Sequence, residues 1–565
     1  MKKNFKKVLA LLCAGAACFN LVACGGGGGD GEEEIDETKT QLYISNFNGG
    51  VGTEWLEKHA ARFEEEYKNV EFTPGKFGVQ VIIETHKGVS VDKFATERNE
   101  IYFLENCNYY DMLSTGHLLD ITDVVQKDMA QFGEAGSSIE SKMAAAGQAY
   151  VDYFKTSQGK YYAIPHYRSI YGITYDKGLF DEKGFYLFAN GEVGATYADV
   201  EAGRAAKGPD GKAGTYDDGL PATYDDLWKV CRVMVESSVD PFTWSGQYKW
   251  YASCFMASLK ADFEGEEASM AYGFDSSKFH LDDEDTSNDG KVTKLVKEIK
   301  ADGTVVYDEP TALTYQNGNE VYRSAGVYYA NEFIYQIVKN NWYSSRSFNE
   351  SVSHIDTQAN YLLSKYGNDK QIAMLVEGSW WSHEASSYVQ QMENRYKETF
   401  AERGFALMPL PKATKAQVGE TQTTLDASGS LACINANIDT NKIELAKTFL
   451  QFCETDKSLV EFLQTTGMTR GYGFNLADAE YKALTPFAQS VVDIIKNGEV
   501  TLPVSSSEFF YKNYSDLLYS ACMKTPTNEY PSVAFKDKNY TAKQMFEEIK
   551  AHRNSKWSSY VAKMG

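Results

Sequence analysis

Residues 371–381, Gln-Ile-Ala-Met-Leu-Val-Glu-Gly-Ser-Trp-Trp, constrain this chain more than any other stretch. Ile372 to Val376 is an apolar run of the length expected for a strand buried on both faces, as in a parallel sheet. Glu377, Gly378 and Ser379 end the run, and Gly378 permits a turn that a residue with a Cβ resists. Trp380 and Trp381 stand just past that turn. In open α/β sheets, ligands bind beyond the carboxyl ends of the strands. The pair is therefore placed to offer a flat apolar platform, for instance to the face of a sugar ring. The same two rings could instead be core residues capping a helix, and the stretch alone leaves both readings open.

The rest of the chain alternates in the same way. Gln41 to Ser45 reads as a strand, followed by the Gly-rich loop Asn46-Phe-Asn-Gly-Gly-Val-Gly52. A helix follows, with Trp55, Leu56, Ala60 and Phe63 at helical spacing. Val79 to Ile83 and Ile101 to Leu104 are further strands, the second opening into Glu105-Asn-Cys-Asn-Tyr-Tyr-Asp111. Asp120 and Thr122 are placed to cap the next short helix, and Thr223 with Asp226 approaches a capping box. Strands alternating with helices over 565 residues predict an α/β chain of more than one domain.

The N-terminus carries an address. Lys2 to Lys7 is a basic segment and Val8 to Ala17 an apolar one too short to span a bilayer, the layout of a signal peptide. Leu21-Val-Ala-Cys24 matches a bacterial lipobox, which makes Cys24 the lipidated first mature residue after a signal over 1–23. Residues 24–39, Gly-rich and then acidic, cannot bury apolar surface and read as a flexible tether. No later stretch reads as a transmembrane helix. The expected location is the extracytoplasmic face of the cell membrane, held by lipid. Losing Lys2, Lys3, Lys6 and Lys7 takes the formal charge from −22 to −26, which argues against nucleic acid or anionic lipid as ligand. Six cysteines remain in the mature chain beyond Cys24: Cys107, Cys231, Cys254, Cys433, Cys453 and Cys522. None forms a CxxC pair, and mostly buried free thiols are expected.

The 371–381 stretch resembles the "M-x-x-x-G-x-W" signature of carbohydrate-binding extracellular solute-binding proteins of ABC importers, the family of the maltose-binding proteins. Gly404-Phe-Ala-Leu-Met-Pro-Leu-Pro-Lys412 is similar to the family's strand and "PLPK" segment, and Gly429 to Ala436 follows in family order. Gly159 to Phe180 resembles the family's "dGK-x-Y-x-iP…ygl-x-YNk-x-lF" crossover, and Thr466-Gly-Met-Thr-Arg470 its "T-G-x-x-P", here without the proline. The resemblance covers most of residues 40–565. It implies a two-lobed periplasmic-binding-protein-like fold with a ligand cleft between the lobes and interlobe crossover strands. Lobe 1 would be 40–165 and 430–500, and lobe 2 would be 166–429 and 501–565. It also implies a monomer that captures a carbohydrate, an oligosaccharide, and delivers it to the importer's membrane permease, with no cofactor.

Ligand contacts follow from the same resemblance. Asn48 lies in the first binding loop, Asn106 and Tyr109 in the loop after the third strand, and His166, Tyr167 and Arg168 at the crossover. Trp244 is the choice within the aromatic loop Pro241 to Tyr251, Trp380 and Trp381 lie beyond the central strand, and Phe509 and Phe510 come from the last return to the second lobe. For the Asn48 loop a ligand-free turn, for His166 a satisfied structural role, and for Trp244 core packing remain alternatives.

Other chemistries fail on spacing. From Asp285 the acidic loop 283–292 follows an EF-hand through Gly290, but Val296 stands where the closing carboxylate is required, so no metal is expected. His383-Glu384 lacks the second histidine of HExxH, and there is no GxSxG. The chain is expected not to be an enzyme. A surface glycoside hydrolase, needing only two carboxylates in a cleft, and an adhesin or assembly module without a small ligand are the alternatives.

Overall fold

The computed structural model describes residues 34–105, 107, 109–265, 291–312, 316–427, 429–502, 527 and 529–564. Cys24, Asn106, Phe509, Phe510, Cys522 and the loop residues 283–290 lie outside them.

Eleven strands and nine helices carry the argument. The strands are β1 (Thr40–Phe47), β2 (Val79–His86), β3 (Ile101–Glu105), β4 (Ile164–Pro165), β5 (Tyr171–Asp176), β6 (Asp240–Thr243), β7 (Ile372–Gly378), β8 (Phe405–Met408), β9 (Thr423–Leu425), β10 (Ser430–Ile434) and β11 (Glu499–Thr501). The helices are α1 (Glu54–Glu66), α2 (Trp250–Glu264), α3 (Ala325–Lys339), α4 (His354–Leu363), α5 (Trp381–Glu384), α6 (Ile443–Cys453), α7 (Asp456–Thr466), α8 (Pro486–Asn497) and α9 (Ala542–Met564).

Nine of the strands form two sheets, each the centre of one lobe, and β9 and β11 pair in parallel as a separate two-stranded sheet. The first runs β2-β1-β3-β10-β4, with β1 parallel to both β2 and β3 and β10 antiparallel to β3. The second runs β6-β7-β5-β8, with β6 and β7 parallel and β5 antiparallel to both β7 and β8. Every residue of β7 is buried, as its unbroken apolar run requires. The expected α/β architecture of two lobes joined by crossover strands is the one observed.

Two crossovers, β4 to β5 and β9 to β10, run side by side. The Ser169 amide donates to Asp426 Oδ1 at 2.9 Å, the Ala427 amide donates to the Ser169 carbonyl at 2.9 Å, and Tyr150 donates to Asp426 Oδ2 at 2.6 Å. Arg168 Nε donates to that same Tyr150 hydroxyl at 3.1 Å. The 469–472 segment braces this hinge: Arg470 Nε donates to the His166 carbonyl at 2.6 Å and Tyr472 donates to the Pro165 carbonyl at 2.7 Å. Arg470 also forms a fully buried ion pair with Glu454 at 2.9 Å. Lys412 of the "PLPK" segment is likewise buried, paired with Asp262 of α2 at 2.9 Å.

Helix α8 packs on the second sheet, burying Phe487, Val491 and Ile494 with Leu375, Trp381 and Leu407, while α6 and α7 cover the first. α9 lies against α3 through Phe546 and Ile549. The five described cysteines are free thiols, four of them buried. Val296, at the failed closing position of the acidic loop, is buried in the second lobe's core. Among the described residues no helix is long and apolar enough to cross a membrane, and no cluster of three His, Cys, Asp or Glu is placed to hold a metal.

Candidate functional site

The carboxyl ends of β1 and β3 in one lobe and of β6 and β7 in the other face a common region. On the second-lobe side the turn after β7 sets the geometry. A Cβ on Gly378 would overlap the Trp380 ring, so glycine is what lets that ring fold back across the strand end. Trp380 then meets Tyr171 edge to face, with ring centroids 5.0 Å apart and planes at 87°. Tyr171 stands edge-on to Trp250 and Tyr251, which stack on each other at 4.2 Å at the start of α2. Tyr251 in turn stacks on His354 at the start of α4, with ring centroids 6.1 Å apart and planes at 19°. Trp380 and Tyr251 belong to the apolar cluster of the first lobe, so this aromatic wall is where the lobes meet.

The first lobe contributes its glycine loop and a carboxylate. Gly50 has φ +42°, and a Cβ there would lie 2.6 Å from the Tyr167 hydroxyl and 2.7 Å from Glu105 Oε1. Gly52, at φ +66°, lies against His383 of α5, where a Cβ would overlap the ring. These two glycines let first-lobe backbone reach the crossover tyrosine and the second lobe's histidine.

Three carboxylates gather here. Glu105 ends β3 and hydrogen-bonds to the Tyr167 hydroxyl. Glu377 is the penultimate residue of β7, with Oε1 accepting from the Gly378 amide at 3.0 Å. Glu384 ends α5, and Gln358 Nε2 donates to its Oε2 at 2.9 Å and to Glu377 Oε2 at 3.4 Å. Burial raises all three pKa values, Glu105 to about 8, Glu384 to about 7, and Glu377 well above the carboxylate range. Repulsion from Glu384 pushes Glu105 and Glu377 further in the same direction. His354 and His383 are shifted down by burial, which keeps them neutral near pH 7. Aromatic rings and carboxyl acceptors therefore lie side by side here, with Trp380 donating to Glu384.

The expected contacts fall into three groups. Trp380, 8% exposed, and Tyr167, 5% exposed, belong to this region, and Asn48 is exposed on the loop after β1. Tyr109, His166, Arg168, Trp244 and Trp381 lie in packed interiors instead. Tyr109 is fully buried, its hydroxyl donating to the Phe154 carbonyl at 3.1 Å. His166 sits among Trp55, Phe103 and Phe462, and Arg168 Nη2 is spent on the Ala146 carbonyl at 3.2 Å. Trp244 packs against Tyr343 and Phe348, and Trp381 among Tyr361, Phe400, Phe405 and Phe487. Asn106, Phe509 and Phe510 lie outside the described residues.

Sequence reasoning missed Glu105, Tyr171, Trp250, Tyr251, His354, Gln358 and Glu384 as site residues. A usable signal existed for some of them: Glu105 is the last residue of a buried strand, and Trp250-Tyr251 ends the aromatic loop in which Trp244 was preferred. Gln358 carries none, being one polar residue on a helix distant in sequence.

No protein-family model matches the chain, and no curated protein sequence does either. Solved structures do match over nearly the whole length. A "Chitin oligosaccharide binding protein" superposes with TM-score 0.51 at 14% identity, covering 92% of this chain and 99% of its own. A "probable secreted solute-binding lipoprotein from Streptomyces coelicolor" gives 0.52 at 13%, covering 92% and 99%. The cyclic alpha-maltosyl-1,6-maltose binding protein from Arthrobacter globiformis gives 0.51 at 11%, covering 92% and 100%. At these identities the likeness establishes the fold: two-lobed, of the solute-binding type.

Proposed function

We propose that the chain is the extracytoplasmic binding protein of an ABC importer, held to the cell membrane by lipid at Cys24. It captures a carbohydrate, an oligosaccharide, between its lobes and delivers it to the importer's permease. The observation that carries this reading is the meeting, at strand ends of both lobes, of the Trp380–Tyr171–Trp250–Tyr251 wall with the acceptors Glu105, Glu377 and Glu384. A pyranose presents a flat C–H face and a rim of hydroxyl donors, and this pairing of ring faces with buried carboxylates complements both. That two of the structural neighbours carry the names of oligosaccharide-binding proteins supports the same ligand class.

In this reading lobe 1 is built on 40–165 and 430–500 and lobe 2 on 166–429 and 501–565, except that α8 (Pro486–Asn497), inside the span expected for lobe 1, packs on the sheet of lobe 2 and belongs there. Ligand contacts are Trp380, Tyr171, Trp250, Tyr251, Glu105 and Glu384, with Asn48 and Tyr167 at the rim. Asn106, Phe509 and Phe510 remain candidates by resemblance alone. The protein acts as a monomer and without catalysis or cofactor. The test is thermal unfolding of the full chain, purified in detergent, against a broad glycan panel. A ligand at 100 times its Kd stabilises by about 2.7 kcal/mol, so at least one glycan should raise Tm reproducibly and saturably. A panel in which no glycan does so overturns the reading.

A further inference from the structure

Among the described residues the large hydrophobic side chains left exposed are Ile35, Val70, Phe77, Tyr197, Val235 and Tyr307. Scattered singly, such residues need no explanation, and the two tyrosines carry a polar tip. Of the other four, three meet at one corner of the first lobe. The Phe77 amide donates to the Thr38 carbonyl at 3.2 Å and the Gly78 amide to the Val70 carbonyl at 2.9 Å. Gln80 holds the segment around Ile35, donating to the Glu34 carbonyl and accepting from the Asp36 amide, both at 2.9 Å. Phe77, 59% exposed, stands on the short hairpin of Glu71–Thr73 with Lys76–Phe77, whose other ring, Phe72, is half-buried against the core. The charges around it cancel: Lys39 pairs with Asp36 and Lys76 with Glu37, both at 3.5 Å, and Lys68 pairs with Glu65. The corner therefore has no basic field to draw phosphate, and what it offers is apolar.

The same corner is where residues 24–33 join the described chain. A flexible Gly-rich chain of ten residues spans a root-mean-square distance of about 18 Å. Lipid at Cys24, on which this inference rests, therefore keeps Ile35, Val70 and Phe77 within reach of the bilayer, at an effective concentration of about the millimolar range. An apolar contact too weak to hold an unanchored chain is then occupied. The corner also lies at the amino ends of β1 and β2, where Thr40 pairs with Val79, and the lobes meet at the opposite ends of these strands. Docking here stands the molecule on its first lobe and leaves the cleft clear of the membrane.

We propose that this corner docks on the lipid bilayer that holds the anchor, with Phe77, Val70 and Ile35 entering the headgroup boundary as an apolar contact that needs no anionic lipid. The full chain, purified from membranes with its lipid, is reconstituted into phosphatidylcholine vesicles holding no other protein, with and without bromine on the acyl chains. Bromine quenches tryptophan emission only near contact. Phe77→Trp adds a reporter to the eight tryptophans already present, and Val235→Trp adds one at the exposed apolar position of the second lobe. The emission added by Phe77→Trp should be shifted to the blue and largely lost in brominated vesicles, at low and at high salt. That added by Val235→Trp should persist. Combining Phe77→Trp with Ile35→Asp and Val70→Asp should abolish the quenching and leave the melting curve in place, because all three side chains are exposed. Equal quenching at both reporters overturns the docking, as does quenching that survives the two aspartates, which the tether alone would explain. Quenching removed by salt overturns the apolar contact. A chain that floats with the vesicles without quenching overturns lipid docking, leaves the anchor standing and gives the corner to a protein partner. A chain that does not float with them overturns the anchor and the docking together.

Discussion

Replacing Glu105 and Glu384 together by glutamine should flatten the pH dependence of the unliganded protein's stability above pH 6. In the unfolded chain a glutamate titrates near pH 4.3. In the folded protein burial lifts Glu105 to about 8 and Glu384 to about 7, so between those values the folded state holds protons that the unfolded state has lost. Stability therefore falls as pH rises, by about 1.4 kcal/mol per unit for each group that remains protonated only in the fold. Between pH 6 and 8 Glu105 acts over two units and Glu384 over one. Water reaches part of both side chains, and with that screening the combined loss is on the order of 3 kcal/mol. The two interact, so the observed steps belong to the pair. At about 2.1 cal/mol/K per residue over a chain of this length, the loss corresponds to roughly 3 °C in Tm. Glutamine mimics the protonated carboxyl and keeps the acceptor for Tyr167. The assay is differential scanning calorimetry of both proteins at pH 6, 7 and 8, read as the difference between them, so that the buried histidines and Glu454, raised to about 7, cancel. Parallel Tm profiles for the two proteins would refute the argument, since the carboxylates would then be as hydrated in the fold as outside it.

Cys24→Ser should move the chain from the membrane fraction to the medium or periplasm, because the tether without lipid has no membrane affinity; membrane retention after high-salt washing would contradict the anchor. Trp380→Ala should reduce stability by about 3–5 kcal/mol, since the ring is buried over Gly378, and should also weaken glycan binding by about 10- to 100-fold in the folded fraction. Trp244→Ala should cost similar stability and leave affinity unchanged, which calorimetry on both variants separates. Oligosaccharides that stabilise the chain should be recovered intact after incubation; chain shortening abolished by Glu105→Gln or Glu384→Gln would favour a glycosidase.

What sequence could and could not reveal has particular causes. The apolar run Ile372–Val376 was readable because a strand buried on both faces leaves few polar positions, but β7 continues through Glu377 and Gly378, and the turn expected at Gly378 falls on Ser379 and Trp380. The two tryptophans beyond it were not separable. Trp380 folds back over Gly378 while Trp381 starts α5 and points inward, a difference set by where the helix begins rather than by residue type. At the crossover, alternation along an extended segment places Tyr167 on the opposite face from His166 and Arg168. Tyr167 therefore meets Glu105 while its neighbours join the interior network of Tyr150, Asp426 and Arg470. Resemblance pointed to the segment, and only packing could tell which face of it lines the cleft. Arg470 stands at the proline position of the "T-G-x-x-P" pattern, and its guanidinium holds the hinge by donating from Nε to the His166 carbonyl at 2.6 Å. The carboxylate trio was hidden for a different reason: Glu377 and Glu384 flank the tryptophan turn of one lobe, but Glu105 ends a strand of the other, and only the packing of the two lobes brings it to them.

The most direct measurement is a crystal structure of the full chain with the tightest-binding glycan of the panel. The sugar should lie between the lobes, with a ring face on the Trp380–Tyr171–Trp250–Tyr251 wall and polar contacts to Glu105 from one lobe and Glu384 from the other. A glycan bound to one lobe alone, or on an outer surface away from both carboxylates, would contradict capture between the lobes.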